Sequence, residues 1–382
     1  QADQVKGAII PSNNSDNYVA KGLGQSHNGI YGLGEWRELI DKKTGEAYQI
    51  SSPGWAGAYP WINKHDKVYG FFISHVTGSS AKEDGFSSFF GSPVISRTVS
   101  EILKGKPLVV KQGRINVGNG SLYYEEAGQG EPIIFVHGHS LDHRMWDEQF
   151  LVFAKKYHVI RYDLRGYGIS SSQTEDYQFM HVEDLVTLMD SLHIKKAHIV
   201  GLSLGGFITA DMLAYFPDRM LSAFLASGNI RKSKGPSEPM TKEEAKVRDD
   251  EIAALKKKGV EVMKKEWFEG LMKSGSSQRE RMRVPLWQMI DEWDAWQPLH
   301  KEVRVVAGLD AIEELKKSHP AVPSLIVEGH SSDNKFSKKT PILEYLPNGK
   351  LKIIEDCGHM MNMERPEEFN AALEEFLINI EQ

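Results

Sequence analysis

Two patterns of hydrophobic positions divide the chain. In residues 1–105, short apolar and aromatic runs alternate with turns rich in Gly and Ser, and the runs lie at 29–36, 46–50, 58–62 and 67–75. Short strands with regular turn signals between them predict an antiparallel meander. From residue 106 onward, apolar runs alternate with segments of helical periodicity. This alternation predicts an α/β fold, with a mostly parallel sheet and helices on both faces.

The α/β part begins with a predicted hairpin whose turn contains Asn119-Gly120. Further strands are predicted at 132–136, 158–162, 197–200, 324–329 and 351–354. Between 231 and 320 the strand pattern disappears and a helical period replaces it. We therefore predict two parts, a β-rich segment at 1–105 and an α/β domain at 106–382 that carries a helical cap at about 231–320.

The composition narrows the class of protein. Of 382 residues, 40% are hydrophobic and 26% are charged, which is typical of a soluble globular protein. A net charge of −6 gives no reason to expect a nucleic-acid partner, and no run reaches the ~18 apolar residues of a membrane span. The one cysteine, Cys357, excludes an intrachain disulfide. The chain opens with Gln1 and lacks an apolar signal core, which favours a trimmed, exported bacterial protein over a cytoplasmic one.

The candidate chemistry centres on the pentapeptide Gly201-Leu202-Ser203-Leu204-Gly205, which lies between a predicted strand and a predicted helix. In this context a serine is forced onto a tight turn with its hydroxyl exposed. Glycines two residues before and after it are needed because the two backbones come too close for a Cβ. The turn also places the N–H of Leu204 at a helix N-terminus, where an oxyanion is stabilised. Ser203 is therefore the candidate nucleophile.

Three motifs in order carry a resemblance to a known family: His137-Gly138, the Asp163–Ser170 loop and Gly201–Gly205. Together they resemble the α/β-hydrolase fold over residues 106–382. The resemblance implies an oxyanion hole formed by the backbone N–H groups of His139 and Leu204, and a general base at His359, which follows Gly358 and precedes a Glu-x-Pro. The Asp163–Ser170 motif we interpret as a structural loop. No metal site is expected at His137, His139 and His143, because their order lacks the spacing of zinc ligands.

The same resemblance places a catalytic acid in the loop after the strand at 324–329, where Asp333 is the candidate. Asp333 stands one residue later than the commonest Gly-x-x-Asp pattern. Glu328 is the alternative, although it lies within the strand. The other position that the family uses, after the sixth strand, holds Ser227-Gly228-Asn229 and no carboxylate. The order Ser203, Asp333, His359 is the order expected for this fold.

These residues predict a serine esterase that cleaves a small-molecule carboxylic ester by acyl transfer and needs no cofactor. Lactones, amides and C–C bonds of diketones remain open as substrates. A non-enzymatic ligand receptor of the same fold is a second hypothesis, and turnover of an aryl ester separates the two. Within the cap, the aromatic residues either line a pocket or pack between helices, and they are Trp267, Phe268, Trp287, Trp293 and Trp296.

Residues 1–105 resemble the final strands of the β-lactamase-like serine hydrolases, through Tyr31–Gly34, Ser52–Ile62 and Val68–Ile73. That family's Ser-x-x-Lys lies upstream of these strands, whereas the match Ser79-x-x-Lys82 follows them. We therefore interpret the segment as non-catalytic. A structural role, a place at the active-site mouth and an interface between copies of the chain are open to it. Labelling of Ser79 by a β-lactam would instead make it the catalytic part.

Overall fold

The computed structural model describes residues 30–32, 35–40, 47–51, 58–64, 68–73, 99, 108–172, 174, 179–228, 230, 241–300, 311–330 and 341–381. The chain divides into two compact units, Gln1–Leu108 and Val109–Gln382. The sequence placed this division after residue 105.

The N-terminal unit contains a five-stranded antiparallel sheet in which each strand pairs with the next along the chain. Its strands are β1 (Ile30–Gly32), β2 (Glu35–Ile40), β3 (Ala47–Ser51), β4 (Ala58–Asn63) and β5 (Val68–Ile73). Trp61 of β4 lies directly opposite Gly70 of β5, and an ideal Cβ on that glycine would be 2.3 Å from the Trp61 ring. The missing side chain leaves room for the Trp61 ring beside the neighbouring strand. The predicted antiparallel meander is confirmed.

The second unit is built on an eight-stranded sheet in the order β13-β12-β11-β10-β8-β9-β7-β6. Strands β8 to β13 are parallel, and the hairpin β6–β7 joins their edge in antiparallel pairing. The predicted mostly parallel sheet is confirmed. The strand bounds are β6 Lys111–Asn116, β7 Ser121–Ala127, β8 Pro132–Val136, β9 His158–Tyr162, β10 Ala197–Leu202, β11 Met220–Ala226, β12 Ser324–His330 and β13 Gly349–Glu355.

Helices cover both faces of this sheet, as the continuous apolar strands require. On one face, Phe135 of β8 stacks on Trp146, and Phe224 of β11 packs edge-on against Phe369. On the other face, Ile199 and Leu225 share one core with Leu213. The flanking helices are α1 (Asp147–Phe153), α2 (His181–Ser191) and α3 (Leu204–Tyr215), with short 3₁₀ turns at His143–Trp146, Pro217–Arg219 and Pro341–Tyr345.

Between β11 and β12 the described chain is helical, as predicted. The helices are α4 (Lys242–Lys258), α5 (Val260–Lys273), α6 (Arg283–Glu292), α7 (Trp296–Leu299) and α8 (Ala311–Ser318), with a 3₁₀ turn at Arg279–Met282. Ala311 and Leu315 of α8 belong to the same core as α3. The sequence assigned residues up to 320 to the cap, but α8 packs on the sheet layer, so α4 to α7 are the candidate cap helices.

The chain ends with α9 (Met361–Glu364) and α10 (Pro366–Glu381). Among the helices described, none has the length and apolar content that crossing a membrane requires.

Candidate active site

Ser203 lies on the tight turn between β10 and α3. Its backbone has φ 57° and ψ −112°, and a positive φ is uncommon for a residue with a Cβ. The flanking glycines permit the turn, because an ideal Cβ on Gly201 would lie 2.0 Å from the Gly205 carbonyl oxygen. A Cβ on Gly205 would likewise lie 2.0 Å from the carbonyl oxygen of Val136. The close approach expected from the sequence is therefore present on both sides of Ser203.

The loops after β8 and β11 flank Ser203. Gly201 pairs with Val136 in the parallel sheet, so β8 and β10 end at the same edge. An ideal Cβ on Gly138 would be 3.5 Å from the Ser203 Cβ. On the other side, the Ser203 N–H donates to the carbonyl oxygen of Ala226 at 2.9 Å. The candidate nucleophile thus lies at the carboxyl edge of the sheet, where open α/β sheets bind ligands.

Two backbone N–H groups near Ser203 are the candidate oxyanion donors, those of His139 and Leu204. Leu204 is the first residue of α3, so its N–H has no intrahelical acceptor and lies at the positive end of the helix dipole. Within the described part of the chain, neither N–H donates to a backbone carbonyl outside regular structure. Both groups therefore retain the capacity to bind a negatively charged oxygen.

His359 lies on the loop after β13 and is buried, with 6% of its surface exposed. The hydroxyl of Ser227, which follows β11, donates to the His359 carbonyl oxygen at 3.2 Å. The next residue, Gly228, packs on the serine turn, since an ideal Cβ on it would be 3.2 Å from the Ser203 carbonyl oxygen. Burial lowers the pKa of His359 to about 4, so the ring is neutral at pH 7 and able to accept a proton. One loop thus contacts both the Ser203 turn and the His359 loop.

The candidate acid Asp333 lies outside the described residues. Its alternative, Glu328, lies on β12 opposite Ile353 and is 7% exposed. Strand alternation places Glu328 on the same face as Ile326, which belongs to the core beneath α3. Burial raises the pKa of Glu328 to about 7. Glu328 therefore faces the packed side of the sheet, as its place within the strand predicted.

The three histidines after β8 have separate partners. His137 Nε2 accepts the N–H of Leu164 at 2.9 Å, which leaves the ring proton on Nδ1 to be donated to the Gly138 carbonyl oxygen at 2.8 Å. Both nitrogens of His137 are therefore used within the fold. His139 Nδ1 lies 2.7 Å from the hydroxyl of Tyr167, and His143 Nδ1 lies 2.7 Å from Asp163 Oδ1.

Among the described residues, Asp142, His143 and Asp163 bring three candidate metal-ligand atoms within 4.8 Å of one another. Both carboxylates already have partners. Asp142 forms an ion pair with Arg144 at 2.6 Å, and Asp163 accepts the backbone N–H groups of His143 at 2.8 Å and Ile169 at 2.9 Å. These contacts explain why the three side chains lie together, because they join the segment after β8 to the loop after β9.

The Asp163–Ser170 motif has the geometry of a structural loop, in agreement with its interpretation from sequence. Arg165 forms two hydrogen bonds with the buried carboxylate of Asp184, at 2.9 and 2.7 Å. Gly168 has φ 52°, and an ideal Cβ on it would lie 2.3 Å from Asp163 Oδ2. Ser170 donates its hydroxyl hydrogen to the Asp163 carbonyl oxygen at 2.6 Å. The side chains of the motif therefore bind the loop to itself and to α2.

The candidate cap aromatics divide between the two interpretations given from sequence. The rings of Trp267 and Trp293 lie 6.1 and 4.9 Å from the ring of His139. The rings of Phe268 and Trp287 instead pack on each other at 5.2 Å, and Trp296 stacks on His300 at 4.1 Å. Two of the five rings therefore contact the candidate oxyanion residue, and three have partners within the helical segment.

Glu364 is a residue whose role the sequence did not indicate beyond its place in the Glu-x-Pro. It is fully buried, and its two carboxylate oxygens accept separate backbone N–H groups, from Gly358 at 2.5 Å and from Ser276 at 2.7 Å. Gly358 precedes His359, whereas Ser276 follows the cap helix α5. A carboxylate is buried only when it is paired, and one partner of Glu364, Ser276, lies 88 positions away, so the sequence near Glu364 does not indicate its burial.

A profile of the Alpha/beta hydrolase family matches residues 133–372. The chain is 24% identical over 264 residues to the (E)-2-((N-methylformamido)methylene)succinate hydrolase of Acinetobacter baylyi, which covers 68% of this chain and 95% of that protein. It is 25% identical over 264 residues to 3-oxoadipate enol-lactonase 2 of the same organism, with 66% of this chain and 92% of that protein covered.

Among solved structures, Est816, an N-acyl homoserine lactone degrading enzyme, has a TM-score of 0.52 and 27% identity, and covers 69% of this chain and 100% of its own. The family profile spans more than half of the chain and contains Ser203, the His139 loop and His359. The strand order, the serine turn and this profile agree, and the chain belongs to the alpha/beta hydrolase family.

Proposed function

We propose that this chain is a serine hydrolase that cleaves carboxylic esters through an acyl-enzyme. The observation that carries the proposal is the Ser203 turn, with φ 57° between two glycines that no other residue can replace without a backbone clash. A strained turn of this kind persists only where the surrounding structure enforces it, and such strain concentrates at functional sites. The buried, neutral ring of His359 supplies the proton acceptor that a serine nucleophile needs.

The proposed reaction has two half-reactions. Ser203 Oγ attacks the ester carbonyl carbon while His359 takes the hydroxyl proton, and the N–H groups of His139 and Leu204 stabilise the oxyanion. The carbonyl then re-forms as the bond to the alcohol breaks, and His359 returns its proton to the departing alcohol. A water molecule attacks the acyl-enzyme in the same way, releases the acid and restores Ser203. Asp333 is proposed to orient the His359 ring and to stabilise its protonated form.

Lactones are a second candidate substrate class. A lactone is a cyclic ester, so the same atoms react, but the alcohol stays attached to the acyl group. Two similar proteins, the enol-lactonase of Acinetobacter baylyi and Est816, act on lactones by name. Amide and C–C bond cleavage, and ligand binding without turnover, are the alternatives that an ester and lactone panel tests.

For the N-terminal unit we propose a non-catalytic role, as a remnant related to the final strands of β-lactamase-like hydrolases. The five-stranded antiparallel meander supports this proposal. An interface between copies of the chain is the role we would test first, by light scattering of the whole chain and of residues 109–382.

Labelling with a fluorophosphonate, followed by peptide mapping, tests the nucleophile. Hydrolysis of p-nitrophenyl acetate and butyrate and of γ-butyrolactone is measured beside it, on wild type, Ser203→Ala and Ser318→Ala. Ser318 is an exposed serine on α8, so its variant is the matched control. We expect label and turnover to be lost only with Ser203. A label elsewhere, or full activity of Ser203→Ala, would overturn the proposal, and a label on Ser203 without any turnover would favour a ligand-binding role.

A further inference from the structure

A chain of hydrogen bonds joins the candidate cap to the loop after β8, residues 137–142, which carries His139 and is here named the oxyanion loop. Trp267, on helix α5, donates its indole N–H to Ser140 Oγ at 2.7 Å. Ser140 in turn donates its hydroxyl hydrogen to the carbonyl oxygen of His139 at 2.5 Å. Trp267 and Ser140 are 127 positions apart, and one lies in the cap while the other follows β8. The hydroxyl accepts and donates at once, and hydrogen bonds in such a chain strengthen one another.

Ser140 is fully buried and has φ 63°. A buried serine hydroxyl needs partners, and Ser140 Oγ accepts a hydrogen bond from the cap and donates one to the loop after β8. The positive φ shows that the backbone turns sharply directly after His139. The loop that carries the candidate oxyanion donor is therefore held in an uncommon conformation, which needs contacts to maintain it.

The ring of His139 is held as well. Its Nδ1 lies 2.7 Å from the Tyr167 hydroxyl, and its ring packs in a T-shaped arrangement with the Trp293 ring, with the centroids 4.9 Å apart. The carbonyl and the N–H of His139 belong to peptide planes on opposite sides of its Cα. The hydrogen bond to the His139 carbonyl oxygen and the hydrogen bond to its ring therefore restrain the residue on two sides of its Cα. Together they limit the backbone rotation that would turn the N–H of His139 away from Ser203.

We propose that Trp267 and Ser140 are positioning residues that hold the N–H of His139 toward the developing oxyanion, so that the hole is complete only while α5 is seated on the oxyanion loop. This inference rests on the proposed serine-hydrolase function. It assigns to the cap a part in the chemical step, beyond covering the substrate. Neither residue touches the reacting atoms in this scheme, and their effect passes through the backbone of His139.

Two substitutions each remove one link of this chain of hydrogen bonds. Trp267→Phe keeps an aromatic ring but lacks the indole N–H, and Ser140→Ala keeps the Cβ but lacks the hydroxyl. Trp287→Phe is the matched control, because Trp287 packs on Phe268 and is not one of the residues that form these hydrogen bonds. Removing a whole oxyanion donor costs on the order of 100-fold or more in kcat, so misplacing one should cost roughly 10-fold.

The test is a double-mutant cycle on p-nitrophenyl butyrate hydrolysis, with thermal midpoints recorded for every variant. We expect kcat to fall roughly 10-fold in each single variant with KM within about twofold of wild type, and the double variant to fall no further. Affinity for a trifluoromethyl ketone, whose adduct with Ser203 carries the oxyanion, should fall by the same factor as kcat/KM. Trp287→Phe should match wild type in kcat, in KM and in affinity for the ketone.

Three results would overturn the inference. These are single variants with wild-type kcat, losses that multiply in the double variant, or an increase in KM alone, which would make Trp267 part of the substrate wall instead. The proposed function fails separately, if wild type has no turnover or if turnover does not depend on Ser203, and the inference then fails with it. Turnover that depends on Ser203 but not on Ser140 and Trp267 refutes the inference alone.

Discussion

A methyl group added to Gly205 would meet the backbone of the neighbouring strand. In Gly205→Ala the new Cβ would lie 2.0 Å from the carbonyl oxygen of Val136, 2.6 Å from its carbonyl carbon and 3.0 Å from the carbonyl oxygen of His137. All three neighbours are backbone atoms, so no side chain can rotate away. The strain must be relieved by moving α3 and the end of β8 apart.

The size of the movement sets the expected effect. Bringing the closest contact from 2.0 Å to the 3.4 Å at which ordinary van der Waals contact begins needs a shift of about 1.4 Å. A misplacement of about 1 Å at a reacting centre already costs about 100-fold in rate. Overpacking of this kind destabilises a fold by about 1–3 kcal/mol, and we expect the upper half of that range because the obstacle is backbone. The activity loss should be larger than the stability loss alone would give, because Val136 directly precedes the oxyanion loop.

Gly270→Ala is the matched control. Gly270 lies on the exposed side of α5, and an ideal Cβ there meets nothing within 4 Å. The same chemical change should therefore stabilise the protein, by about 0.5–1 kcal/mol, because alanine is the better helix former. Urea unfolding followed by tryptophan fluorescence gives the midpoints, and p-nitrophenyl butyrate hydrolysis gives kcat. A Gly205→Ala protein that unfolds at the wild-type midpoint and keeps its kcat would refute the reasoning about this turn.

Three further predictions concern titratable groups. Burial lowers the pKa of His181 to about 3, so the unfolded chain binds a proton below pH 6.5 that the folded chain does not, and stability is lost as pH falls from there. His181→Leu should reduce the slope of unfolding free energy against pH by about 1.4 kcal/mol per unit between pH 5.5 and 4, and an unchanged slope would contradict this. Glu364→Gln replaces one of two acceptor oxygens by an NH₂ group that faces an N–H, and it should cost about 1–3 kcal/mol in urea unfolding, whereas Glu367→Gln on the exposed side of α10 should cost little. Asp333→Asn should lower kcat by a factor on the order of 10⁴ if Asp333 orients His359, while Glu328→Gln leaves most of it, and the reverse result would make Glu328 the acid.

The features that the sequence predicted are those set by local pattern. The continuous apolar run of β8 and the alternation of strands and helices led to the parallel sheet, because buried strands and amphipathic helices each have their own period. The Ser203 turn followed from two glycines at fixed spacing, and the structure gives their clash distances. The N-terminal meander followed from turn signals between short aromatic runs. Each strand, helix or turn is indicated by a short stretch of sequence, and the repetition of these local signals along the domain indicates the fold class.

Features that depend on distant residues were not predictable in the same way. The bond between Trp267 and Ser140 joins positions 127 residues apart, and nothing near either residue indicates the other. The cap aromatics show the same limit, since Trp287 of α6 packs on Phe268, whereas Trp293, directly after α6, lies against His139. A helix pattern states which residues share a face, but the direction of that face depends on how the helices are placed against the sheet.

The histidines show how structure distinguishes residues that a sequence cannot. His137, His139 and His143 lie within seven positions, yet a residue can act on substrate only with a group that the fold has not already used. Both nitrogens of His137 are used, by Leu164 and Gly138, so its side chain serves to tie the start of the oxyanion loop to the loop after β9. The Nδ1 of His143 is likewise used within the fold, by Asp163. In the proposed mechanism this cluster contributes a backbone N–H, that of His139, and we propose that the side chains around His139 set its direction. This is why substitutions at Ser140 and Trp267 should change the rate without touching the substrate.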